Sequence, residues 1–238
     1  MRGKSKLPLF KNLLKGSKFL VTMEDLTKYL RPTEFLDFDK NRVKNKAFEI
    51  IEGLNSNKEK AIALFYWVRD EIRYMMSAFY MIKSNFKASV TLRRGYGFCV
   101  SKAVLLSSFA RAVGIPAQVH LADIRNNKVP QEIINYLGTN IFYYHGYSEL
   151  FLDNKWVKAT PVFDKFTAFK AGFLPLVEFD GINDGILSKF DPEGNLFIEY
   201  VNDRGVYDEV PYDEMDQVIR KKYYKYVFEK GIKTLNKK

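Results

Sequence analysis

The chain has 238 residues, 47% apolar, 16% aromatic and 28% charged, a balance that excludes intrinsic disorder as its main state. Its net charge of +10 sits at the two ends: residues 1–20 carry six basic groups and no acid, residues 219–238 carry eight basic groups and one acid, and the middle is slightly acidic at −3. One cysteine, Cys99, and two histidines, His120 and His145, exclude an internal disulfide and a Cys/His-rich zinc site.

Taken in chain order, Arg31-Pro32 blocks helix continuation near the start. A short helix is predicted over 43–51, closed by Gly53. Ser56 and Glu59 have the spacing of a capping box, and apolar residues at Ile62, Phe65, Val68, Ile72, Met75 and Met76 extend the next helix over 57–79. Residues 84–98 read as a loop that tightens at Gly95-Tyr96-Gly97. A helix then opens at Cys99 and runs to about Val113, with Gly114 and Pro116 beyond it. It is apolar almost all round, so it belongs in the centre of the core.

Strands follow. Residues 118–124 are one, and 125–140 are a polar connection. Residues 141–152 and 155–162 form a hairpin whose two-residue turn is Asp153-Asn154. The stretch 163–194 reads as loop, 196–201 as a strand and 215–233 as a helix. Helices first and strands after indicate an α+β fold with an antiparallel sheet. No internal repeat or low-complexity linker is present, so a single domain over 1–238 is expected, with its core at about 43–210 and basic segments at 1–20 and 219–238.

Cys99 is the centre of the chemistry. It follows Gly97-Phe98 and opens a helix, where unpaired N–H groups and the helix dipole favour a thiolate. The hairpin supplies a base. With Leu152 facing Lys155, His145 lies opposite Val162 and shares a face with its diagonal neighbours Thr160 and Asp164. This register allows a set with Cys99 as nucleophile, His145 as base and Asp164 as the group that orients the imidazole, Asp164 being equally readable as a loop carboxylate. His120 is expected to be a half-buried strand residue.

Four stretches carry a family resemblance. Gly95-Tyr96-Gly97-Phe98-Cys99-Val100-Ser101-Lys102-Ala103 resembles the nucleophile motif of the transglutaminase-like superfamily. Arg111-Ala112-Val113-Gly114-Ile115-Pro116-Ala117 resembles the run from the nucleophile helix into the next strand. His145 to Leu150, and Trp156 to Pro161, resemble the family's His-bearing and Trp-bearing strands. The match spans roughly 57–165, and two further stretches, Ala122-Asp123-Ile124-Arg125-Asn126 and Glu178-Phe179-Asp180-Gly181, resemble a bacterial or archaeal subgroup of small proteins of this superfamily.

The resemblance implies a papain-like core, with the nucleophile helix packed on an antiparallel sheet, and acyl transfer through a thioester to water or an amine. No metal and no cofactor are implied. The substrate class is a peptide, a protein or a small amide. One position departs from the family pattern: the Asp expected four residues after the strand's Trp is Thr160 here. Asp164, four residues on, is the substitute.

Two other expectations come from composition. No apolar run reaches the ~18 residues of a membrane-spanning helix, and the apolar stretches near the start are too short for a signal peptide, so a cytoplasmic location is expected. The alternative function is a catalytically silent domain of the same fold, whose basic ends bind an anionic partner, nucleic acid included.

Overall fold

The computed structural model describes residues 26–76 and 81–223. Segment 1–20, positions 77–79 of the second predicted helix and everything past Tyr223 lie outside the described residues, so the expectations placed there have no structural counterpart here. Among the described residues no helix is long and apolar enough to cross a membrane.

Helix α1 (Asn41–Ile50) and α2 (Asn57–Glu71) form where their apolar spacing predicts. Ser56 caps α2, accepting from the Glu59 N–H at 3.2 Å, while Glu59 accepts from the Ser56 N–H at 3.0 Å. Helix α2 stops at Glu71 rather than running on. The next residues form a short strand, β1 (Arg73–Tyr74), because the buried Lys102 ammonium takes up the terminal carbonyls of Arg69 (2.9 Å) and Ile72 (2.5 Å).

Helix α3 (Ala88–Arg94) lies within the predicted loop and ends at Gly95, whose φ of 71° is left-handed. Strand β2 (Tyr96–Gly97) pairs in parallel with β1, Tyr74 against Gly97. Helix α4 (Cys99–Ala112) starts at the predicted residue and is buried from Val100 to Arg111. Ser101 fixes its start by accepting from the Phe98 N–H at 3.0 Å.

The sheet begins with β3 (Ala117–Asn126). Helix α5 (Gln131–Leu137) occupies the predicted polar connection and leads into β4 (Ile141–Leu152) and β5 (Lys155–Ala159). Helix α6 (Lys165–Ala171) begins the segment read as loop; β6 (Ile198–Tyr207) and α7 (Tyr212–Tyr223) complete the described chain. The strands form one four-stranded sheet in the order β5-β4-β3-β6, antiparallel throughout. With α4 packed across β4 and β3, this is the expected α+β architecture.

The hairpin register is the predicted one. Leu152 pairs with Lys155 and Ser148 with Ala159, and Asp153 and Asn154 take φ of 48° and 64°, as a primed turn requires. The hairpin ends at Ala159, however, three residues early. There the chain turns to another partner: the Thr160 N–H donates to the Gly185 carbonyl at 2.8 Å, and the next residue, Pro161, has no N–H to give.

Candidate active site

Cys99 stands at the first position of α4, half-buried, beside β4. The N–H groups of Gly146, Val100 and Cys99 itself point at its sulfur. Gly146 is required at this spot, because a Cβ there would meet the Val100 Cα at 2.8 Å. Strand β4 and helix α4 are therefore in direct backbone contact.

His145 reaches the site through a bulge. Register along β3 and β4 shifts between Ala122 and Ile124, and Tyr144 takes φ of 57°. Asp123 holds the distortion in place. It accepts the Tyr144 N–H at 3.1 Å and a two-pronged contact from Arg204 at 2.7 and 2.8 Å. The imidazole is buried between Tyr147 and Tyr200, each ring 6.2 Å away.

Cys99 and His145 line one cavity of about 380 Å3, together with Tyr74 from β1 and apolar side chains from β3, β4, α5 and α6. No hydrogen bond joins the thiol and the ring. Burial decides the protonation of both. It pushes the Cys99 thiol up to about 11, against the three N–H groups that favour the thiolate. It pushes His145 down to about 3. Burial thus favours a thiol and a neutral imidazole at rest and opposes the thiolate expected from the helix start. A helix end contributes about 0.3–1 kcal/mol to a charge, less than this desolvation. Alkylation of Cys99 by iodoacetamide is accordingly expected to keep accelerating with pH beyond 8.5 and to level near 11; a plateau below pH 8.5 would contradict this.

Asp164 is not at the ring. Its carboxylate accepts the Tyr74 N–H at 2.7 Å and caps α6 through the Thr167 N–H (2.9 Å) and hydroxyl (2.7 Å). Although burial raises its pKa, these donors hold it below the ordinary carboxylate range. The expected His145–Asp164 hydrogen bond is absent because pairing stops at Ala159, so the diagonal relation on which it depended does not exist. Nε2 of His145 is buried with no hydrogen-bond partner, and the Thr160 hydroxyl is likewise buried without a well-formed one. Tyr200 links the two positions: its ring meets His145 edge-on and its hydroxyl lies next to Thr160.

Three further groups stand here that residue spacing did not single out. Lys102, three residues after Cys99, is fully buried and desolvation lowers its pKa to about 7. Tyr74 lines the same cavity as Cys99 and is close enough for the two to feel each other's charge. His120, expected to be half-buried, is buried on the sheet, with Nδ1 2.7 Å from Glu149 Oε1 and Nε2 2.7 Å from Asp203 Oδ1. It stacks on Tyr147 at 4.5 Å and does not face the cavity.

Comparison with known proteins adds a family. Residues 44–161 match the sequence profile described as Transglutaminase-like superfamily. No curated protein sequence matches the chain. Among solved structures, a candidate cysteine protease from Cytophaga hutchinsonii is similar at 18% identity and a TM-score of 0.46, over 62% of this chain and 44% of that one. A candidate protease from Parabacteroides distasonis follows at 17% and 0.36, over 52% and 25%. A protein described as a TGase follows at 17% and 0.35, over 61% and 34%. The chain thus spans less than half the length of each of these proteins.

Proposed function

Residues 44–161 place the chain in the transglutaminase-like superfamily, and from that premise we propose that it transfers acyl groups from an amide or ester through a thioester on Cys99. One observation carries the reading: Cys99 opens α4 on the wall of a cavity that His145 also lines.

Cys99 Sγ attacks the substrate carbonyl carbon as His145 takes the thiol proton. The carbonyl oxygen becomes an oxyanion. The Cys99 N–H at the helix start donates to it, an interaction of the kind that contributes about 3–4 kcal/mol elsewhere. The Tyr74 phenol, which keeps its proton because burial raises its pKa, is the second donor. Collapse of the tetrahedral species breaks the bond to the leaving amine or alcohol, which receives the proton from His145. Water or an amine then attacks the thioester, returning the proton to sulfur. The product is a free acid or a new amide, from a peptide, protein or small amide substrate.

The test is direct. Incubation with electrophilic amide and ester probes should leave a single acyl adduct on Cys99, found by peptide mass spectrometry. Cys99→Ala should abolish it, His145→Ala should slow it by roughly 100-fold or more, and His120→Ala should leave it unchanged. The catalytically silent domain is favoured by the unpartnered Nε2 of His145, and folded protein that takes no adduct from any probe would decide for it.

A further inference from the structure

The cavity beside Cys99 has a chemical character that the family's reaction does not dictate. Among the described residues no Asp, Glu, Lys or Arg side chain lines it. Its walls are Ile124, Ile133, Phe142, Val162, Phe163 and Phe173, gathered from β3, α5, β4 and the chain on both sides of α6. Among the described residues two polar side chains other than Tyr74, Cys99 and His145 reach it, Asn126 and Thr167, and the Asn126 oxygen and the Thr167 hydroxyl are engaged elsewhere. Asn126 Oδ1 accepts the Lys128 N–H at 2.9 Å, and the Thr167 hydroxyl donates to Asp164 at 2.7 Å. A polar group entering here would leave water for few partners, which is unfavourable. An apolar group would be transferred out of water with gain.

The position of the reacting atoms says which half of the substrate this is. The thioester keeps the acyl half on Cys99 while the leaving group departs, so the apolar space beside the sulfur suits the retained half. We propose, resting on the acyl-transfer reading above, that the enzyme selects substrates whose acyl half carries a bulky apolar group and rejects a glutamine-type acyl donor. The volume, about 380 Å3, falls in the range of small-molecule sites and suits a hydrocarbon chain or an aromatic or branched side chain. Both sources present the same chemistry to the cavity.

The experiment uses the full chain and two substrate series. The first is p-nitrophenyl esters of straight-chain acids from acetyl to dodecanoyl, with the rate of the Cys99→Ala protein subtracted. The expected result is a kcat/KM that rises about fourfold per added methylene, the factor for burying one methylene, until the cavity is full. The second series is blocked amino-acid anilides with Phe, Leu, Gln or Glu as acyl donor. Phe and Leu should exceed Gln and Glu by roughly 100-fold. With p-nitrophenyl esters of the same blocked amino acids set against the straight-chain series, so that the leaving group is constant, the higher kcat/KM identifies the source as a fatty acyl chain or a peptide side chain.

Ile133→Trp fills the cavity from α5 and should move the preferred chain to shorter acids, a shift that loss of folding cannot mimic. Acylation of Cys99 at equal rates by acetyl, long-chain and Gln donors would overturn the apolar preference while leaving acyl transfer intact. A rate that responds to the size of the leaving group, and not to the acyl group, would place the cavity on the other side of the scissile bond and overturn the proposal in the same way. Absence of any adduct would overturn the acyl-transfer reading itself.

Discussion

Thr160→Asp is expected to raise the acylation rate of Cys99 by roughly 10- to 100-fold, within the range ascribed to a well-placed acid–base group. His145 is buried, its Nε2 has no partner, and its pKa is held down to about 3 by that burial. Thr160 is fully buried, and Tyr200 touches both residues. A carboxylate at 160 would accept the Nε2 proton, fix the tautomer that leaves the other ring nitrogen free for the thiol, and stabilise the imidazolium formed during attack. The pKa of His145, followed by NMR, should therefore rise from about 3 toward the ordinary imidazole range. A change in rate with no change in that pKa, or an unmoved pKa with a folded protein, would show that 160 does not reach the ring. Burial of a new carboxylate also costs stability, so a lower Tm is part of the expected result.

Gly146→Ala is expected to cost about 1–3 kcal/mol of stability, the usual penalty of overpacking, and roughly 100-fold in acylation rate. The added methyl would stand 2.8 Å from the Val100 Cα and 3.0 Å from its Cγ2. The first of these atoms is helix backbone and has no rotamer to change. Strand β4 must therefore move away from α4, carrying His145 away from Cys99 and the Gly146 N–H away from the sulfur. A misplacement of about 1 Å at reacting groups is enough for a 100-fold loss. Thermal unfolding and probe labelling measure the two effects separately. An unchanged rate in a destabilised protein would mean that the contact serves packing alone.

The outcome at Asp164 shows how a correct local inference can lead to a wrong site. The turn at Asp153-Asn154 and the pairing of Leu152 with Lys155 were legible, since only residues that tolerate positive φ suit such a turn. Extending that pairing to Val162 assumed that the strand continues. It does not, because the partner beyond Ala159 is Gly185, a residue from a distant segment whose approach no local pattern announces. Asp164 is released from the sheet and becomes the cap of α6, a helix of seven residues with too short an apolar pattern to be seen.

Much of the rest followed from neighbours in sequence. The capping box at Ser56, the helix start at Cys99, the hairpin and the antiparallel α+β sheet all depend on groups within a few residues of one another, and the chain spells these out. The expected partnership of Cys99 with the later strand that carries His145 rests instead on the resemblance of the two stretches. What reacts under which conditions depends on burial, and burial belongs to the assembled fold. The thiol of Cys99 is raised and the imidazole of His145 lowered because β4 closes over α4 and tyrosines enclose the ring. The apolar cavity is built by side chains from Ile124 to Phe173, brought together from five separate parts of the chain. Local sequence sets dihedral preferences and register over short distances, whereas the desolvation of a charge depends on every atom that displaces water around it, and only the tertiary structure decides those.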